Sequence, residues 1–134
     1  MFRPFFRGVM MKVNEAIERV NELKENAYDD SVIKNFIEDC DKRIYKEVIE
    51  THEQKENIQP YETRYPLDGE VHLLAEDAYA MLYVHYAICQ IDIHNGEYDR
   101  YTNNMIIYNS LLSDFKSYYN RTHMPKGNKR LITD

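Results

Sequence analysis

Residues 75–119 read AEDAYAMLYVHYAICQIDIHNGEYDRYTNNMIIYNSLLSDFKSYY, and the spacing of apolar residues in this stretch decides the fold. Its first half places Ala75, Ala78, Tyr79, Leu82, Tyr86, Cys89 and Ile93 three and four residues apart, which is the stripe of an α-helix. A second line, Met81, Val84, Ile88 and Ile91, runs along the opposite side. A helix that is apolar nearly all round must be covered nearly all round, by its own domain or by a neighbouring subunit. Asn95-Gly96 ends it, because glycine takes the left-handed conformation of a helix C′ position without steric cost. The second half repeats Tyr98, Tyr101, Met105, Tyr108, Leu112, Phe115 and Tyr119 with alternating steps of three and four. That seam predicts a helix packed antiparallel on the first, an αα-hairpin.

Working outward, 134 residues with 43% hydrophobic content supply one core and one domain. The formal net charge is −6, which argues against a general affinity for nucleic acid or anionic membrane. Its distribution is uneven: residues 1–12 and residues 121–134 each carry +3, which leaves −12 on residues 13–120. An acidic body with basic ends suggests ends that seek an acidic partner. Cys40 and Cys89 fall on core faces of different helices and read as free thiols of a reducing cytoplasm rather than as a secreted disulfide framework. Asn120-Arg121-Thr122 fits a glycosylation sequon, but MFRPFFRGV is too short and too interrupted by Arg and Pro for a signal peptide. No apolar run approaches the roughly 20 residues of a membrane span.

On the N-terminal side, MFRPFFRGVMMK has no helical period. Two readings stand for it: a natural start at Met10 or Met11, with the first nine residues read from the upstream frame, or an aromatic arm that docks on a partner. A first helix is expected over about Val13 to Asn26, burying Ile17, Val20 and Leu23, and needing tertiary support because it is short. Asp29 or Asp30 then caps a second helix reaching about Glu50, with Ile33, Phe36, Ile37, Cys40, Ile44, Tyr45, Val48 and Ile49 inward. From Thr51 to Leu74 the period stops and Pro60, Pro66 and Gly69 appear. Long irregular connections are usually functional or disordered. This one keeps Ile58, Tyr61, Tyr65, Leu67, Val71, Leu73 and Leu74, too apolar for a free linker, with short strands expected near Ile58–Tyr61 or Val71–Leu74. After Tyr119, the stretch NRTHMPKGNKRLITD reads as an extended tail.

Motifs that carry chemistry are sparse. His85 and Cys89 share a helical face with Asp92, a spacing that offers two or three ligands to a metal, but no second cluster completes a site. The bland reading, a partly buried His beside a core thiol, is preferred, and neither a metal nor a cofactor is expected. The chain holds no His-Glu-x-x-His, no Cys-x-x-Cys, no phosphate-cradling glycine loop and no Gly-x-Ser-x-Gly. Acid pairs such as Asp29-Asp30 and Asp39-Asp41 read as capping and solubility. No enzyme is expected. The 12 tyrosines point instead to packing and protein interfaces, where a large apolar ring with a polar tip is favoured.

The run Gln90, Ile91, Asp92, His94, Asn95, Gly96, Glu97, Arg100, Tyr101 and Asn103, with the segment from Ala78 to Pro125 and the order of elements, resembles a family of small helical head-tail connector, or adaptor, proteins of long-tailed phages and prophages. The likeness spans about Met11 to Pro125. It implies a subunit of a homo-oligomeric, twelve-fold ring docked beneath the portal, extending the DNA channel and presenting a surface to the next connector or tail-completion protein. It also implies assembly in the host cytoplasm and a place at the head-tail junction of the virion, with no membrane contact and with DNA passing through without specific binding. A stand-alone helical regulatory or interaction module of a mobile element is the alternative.

The expected architecture is therefore all-α, a four-helix bundle of two hairpins with a long loop between helices 2 and 3. Residues 1–10 are an extension, 11–121 the helical domain and 122–134 an extended tail. Arg121, Lys126, Lys129, Arg130, Leu131 and Ile132 are expected to dock on the portal. Ile58, Tyr61, Tyr65, Leu67, Met81, Val84 and Ile88 are expected at a subunit boundary. Asn95 and Gly96 form the structural turn.

Overall fold

The computed structural model describes residues 10–54 and 56–127, and the chain there is mostly helical with one small two-stranded sheet. In order come strand β1 (Met10–Lys12), helix α1 (Val13–Leu23), α2 (Asp30–Ile44), which continues as a π-helical turn over Tyr45–Ile49, then α3 (Tyr61–Arg64), β2 (His72–Glu76), α4 (Met81–His94) and α5 (Tyr98–Thr122). Helix α1 starts where Glu15 reaches back to accept the Lys12 N–H at 2.8 Å, which satisfies a donor at the helix start. It ends at Leu23, earlier than its periodicity suggests, and Leu23 is 56% exposed rather than buried. Asp29 occupies the cap position of α2 but caps with its backbone: its carbonyl accepts the N–H groups of Val32 and Ile33, with no cap bond from its side chain.

The α4–α5 hairpin is closed by a Schellman turn. Glu97 N–H donates to Asp92 O at 2.9 Å and Gly96 N–H to Ile93 O at 3.2 Å, with Gly96 at φ 74°. Helix α4 is sandwiched, with α5 on one side and α1 and α2 on the other. This layering covers most of its apolar surface within the chain, burying Leu82, Tyr83, Val84, Ala87, Ile88, Cys89 and Ile91 and leaving Tyr79, Met81 and Tyr86 half-buried and Ala78 and Ile93 exposed. Along α5 the seam is sound at Tyr108, Phe115 and Tyr119, which are buried, and partial at Tyr101, Met105 and Leu112. It fails at Tyr98, which is 63% exposed. Among the described residues, no helix is long and apolar enough to cross a membrane.

Two elements differ from their sequence reading. Residues 75–80 are not the first turns of α4. Ala75 and Glu76 finish β2, which pairs antiparallel with β1, Met10 opposite Glu76 and Lys12 opposite His72. The sheet continues into α1 through Val13 N–H to Val71 O at 3.0 Å and Asn14 N–H to Gly69 O at 2.9 Å. A Cβ at Gly69 would lie 2.3 Å from the side-chain oxygen of the exposed Asn14, which would have to turn aside. Met10 is thus structural, and the part of the N-terminal extension before it lies outside the described residues.

The second difference is Asp41, expected on a solvated face and found fully buried. Its Oδ2 accepts Arg64 Nε at 2.9 Å and the Tyr65 hydroxyl at 2.6 Å; its Oδ1 accepts the Tyr83 hydroxyl at 2.6 Å and Leu74 N–H at 3.1 Å. Arg64 Nη2 also lies 2.9 Å from Oδ2 and donates to His72 O at 2.9 Å. One turn earlier, Glu38 Oε1 accepts Leu67 N–H at 2.8 Å. Two carboxylates on α2 thereby hold the connection 60–76 to the body, which explains how so long an irregular segment stays ordered: its backbone donors are satisfied by side chains.

Candidate interaction surfaces

The residues expected at a subunit boundary divide in two. Leu67 (1% exposed), Val84 (0%) and Ile88 (4%) belong to the chain's own core, which corrects the expectation that they face a neighbour. The reason is the sandwiched position of α4 and the Glu38 clamp on the loop. Ile58, Tyr61, Tyr65 and Met81 stay half-buried. The Tyr61 and Tyr65 rings lie 4.9 Å apart between centroids with planes tilted at 56°, and both meet the Tyr45 ring edge-on. Lys46 Nζ sits 4.5 Å from the Tyr61 ring centroid and Lys42 Nζ 5.6 Å from that of Tyr65. Burial, then the Asp41 charge, push the Tyr65 hydroxyl well above the ordinary tyrosine range, so it remains a donor. Met81 receives Arg19 Nη1 on its sulfur at 3.8 Å.

The tail departs from its reading at its first residues. Helix α5 runs to Thr122, so Asn120 and Arg121 are helical, and Arg121 is an exposed residue of the last turn. The next segment is pinned to the body. His123, 6% exposed, stacks on Tyr119 with centroids 3.7 Å apart and planes at 4°, while its Nε2 lies 3.0 Å from Glu56 Oε1 and its Nδ1 2.9 Å from Thr122 Oγ1. His52 meets the other side of Tyr119 edge-on at 5.0 Å. Its Nδ1 lies 2.7 Å from Val48 O and its Nε2 2.7 Å from the Asn120 amide oxygen. Glu53 N–H donates to Met124 O at 2.7 Å and Lys126 N–H to Thr51 O at 2.9 Å, forming a bridge in which His52 faces Pro125. Lys126 is exposed; Lys129, Arg130, Leu131 and Ile132 lie outside the described residues.

Beside this anchor lies a cavity of about 240 Å³. Ile49 of the π-helical turn, Ile58, Leu73, Leu74, Phe115 and Tyr119 supply its apolar wall, and the Glu56–His123 pair stands at its edge. Glu76, also on the wall, accepts the Tyr118 hydroxyl at 2.7 Å and holds that phenol up at about 12. Glu56 is thus paired with His123 and Glu76 with Tyr118, contacts that hold the last turns of α5 and His123 against the body.

His85, Cys89 and Asp92 do not converge. His85 Nδ1 lies 2.9 Å from Asn104 Oδ1, and Cys89 Sγ faces Tyr101 O at 3.8 Å. Asp92 Oδ2 accepts Asn104 Nδ2 at 3.0 Å, and its Oδ1 lies 3.0 Å from Lys24 Nζ as a charge contact, the directed bond of that ammonium going to Glu97. Burial pushes the Cys89 thiol up to about 12 and the Cys40 thiol well above its usual value, which keeps both protonated and unreactive near neutral pH. Among the described residues, no group of three or more His, Cys, Asp or Glu side chains could hold a metal ion. Sequence reading missed the exposed face of α5, where Ile106 is 62% and Ile107 41% exposed. The signal was present, since both residues lie off the seam of threes and fours.

Compared with known proteins, the chain matches no family model, no curated protein and no solved structure.

Proposed function

We propose that this chain is a structural, non-enzymatic subunit of a phage head-tail connector ring, docking on the portal and extending the DNA channel toward the tail. The observation that carries the reading is the anchored tail. A terminus that merely solubilises needs no buried His123 stacked on Tyr119, no Glu56 partner and no pair of backbone bonds to Thr51 and Glu53. Anchoring makes sense where the residues beyond it, with Lys129, Arg130, Leu131 and Ile132, engage a partner from a set position, because pre-ordering the departure point lowers the entropy lost on docking. In this reading α1–α2 and α4–α5 act as two hairpins of a four-helix bundle that forms the ring wall. The −12 borne by residues 13–120 suits a channel that repels the DNA backbone and lets it slide. The portal above and the next connector or tail-completion protein below are the partners, met after assembly in the host cytoplasm and retained at the head-tail junction of the virion. The resemblance around the α4–α5 turn, Gln90 to Asn103, points the same way.

A chain ending at Gly127 tests this, because it keeps the anchor and removes only residues 128–134. The shortened chain is expected to keep its helical spectrum and unfolding temperature while losing binding to portal assemblies. Binding by the intact chain is expected to weaken as added salt screens the basic residues. Undiminished portal binding by the shortened chain, or electron microscopy of particles with no ring of this protein at the portal, would overturn the proposal.

A further inference from the structure

Helix α5 carries no Asp, Glu, Lys, Arg or His from Tyr101 to Ser113, in a chain that is 30% charged. The comparable run, Ala78 to Ile91, broken only by His85, lies mostly on α4 and is explained by burial on both sides. On α5 only one side is covered. Tyr108 packs inward, whereas Thr102, Asn103, Ile106, Ile107, Asn109 and Ser110 face outward and are exposed. The α5 residues that meet other elements lie off this face: the helix packs chiefly on α4, and Lys116 farther along it meets Glu47.

We infer that this outward face of α5 is a contact surface for a second copy of this chain. Charge selects the occupant. Two copies, each at −6, repel wherever their acidic surfaces meet, and a neutral face is where they can approach without that cost. Depletion of charge around exposed large apolar side chains is also the composition of an interface core. The polar residues among the isoleucines are Asn, Ser and Thr, whose side chains both donate and accept hydrogen bonds and can therefore pair with their own kind. A basic partner would instead seek the acidic surfaces. A face that pairs with its own counterpart closes a two-fold contact, whereas neighbours in a ring meet through two different surfaces, so the inference stands apart from the ring reading.

The test uses the full chain and the double variant Ile106→Asp/Ile107→Asp, with Ser110→Arg as a milder second disruption at an already exposed position. In sedimentation between ~10 µM and ~1 mM, the range in which a weak contact becomes visible, the unmodified chain is expected to move from monomer to larger mass. Both variants are expected to remain monomeric at unchanged unfolding temperature. An unmodified chain that stays monomeric throughout, or folded variants that associate as it does, overturns the inference. Association through α5 by a chain absent from the portal would sustain the contact and remove the ring reading.

Discussion

Asp41 makes four directed hydrogen bonds and an ion pair inside the body, and its removal tests how the chain's longest irregular segment is held. Replacing it with Asn leaves the Arg64 guanidinium, whose side chain is 8% exposed, without its charge partner. Breaking one side of a buried pair costs about 3–5 kcal/mol, so Asp41→Asn is expected to lower the denaturant midpoint accordingly. Asp39→Asn, two residues away on the exposed side, is expected to change stability by no more than ~0.5 kcal/mol. Equal midpoints for the two variants would show that the loop is held by packing alone. The helical period already separates these aspartates, since Asp41 stands four residues after Ile37 and three before Ile44 while Asp39 lies off that line; what the period leaves open is the partners, and only the distant Arg64, Tyr65 and Tyr83 make Asp41 a satisfied buried acceptor. Gly96 is the opposite case, because its role depends on its own missing Cβ and was legible from its place after a helical run.

At the scale of elements, α1 is tied to the hairpin turn by Lys24, whose ammonium contacts both Asp92 and Glu97. The hydrogen bond to Glu97, then the Asp92 carboxylate 3.0 Å away, raise the lysine above its ordinary range, and the same lysine lowers Glu97 below the usual carboxylate range. A group whose folded value is lowered contributes above its unfolded value and loses that contribution as pH falls through the folded one. A group whose folded value is raised contributes below its unfolded value and loses it as pH rises through the folded one. The tie is therefore expected to hold fully between about pH 4.3 and about pH 10.4, the ordinary values for Glu and Lys, and to weaken outside that window. Comparing the pH dependence of unfolding for the intact chain and Glu97→Gln checks this; identical acid limbs would show that Glu97 adds nothing. Helix α4 illustrates what period alone leaves open. Its two apolar lines require cover on both sides, and the sandwich between α5 and the α1–α2 pair supplies most of it.

For the whole molecule, the tail anchor divides two truncations that look alike in sequence. A chain ending at Asn120 loses the His123 ring from the face of Tyr119 together with the bridge to Thr51 and Glu53, so it is expected to melt several degrees lower, on the order of 4–8 °C for each kcal/mol lost in a domain of up to about 100 residues and somewhat less here. A chain ending at Gly127 is expected to melt with the intact protein. Differential scanning calorimetry of the three chains makes the comparison, and equal melting by the Asn120 chain would mean that the anchor is energetically idle. Helices α1, α2, α4 and α5, the turn at Asn95-Gly96 and most of the core were determined by the sequence itself, because a period of threes and fours and a glycine after a helix act through neighbours within one or two turns; the short α3, in a stretch read as irregular, was not. A strand near Val71–Leu74 was expected and overlaps β2, but its pairing with Met10–Lys12, the partners of Asp41, the fate of Leu67, Val84 and Ile88, and the docking of His123 were decided only by tertiary structure. Each depends on partners separated along the chain, as Asp41 is from Arg64 and His123 from Glu56, and such pairings arise from packing that no local pattern encodes.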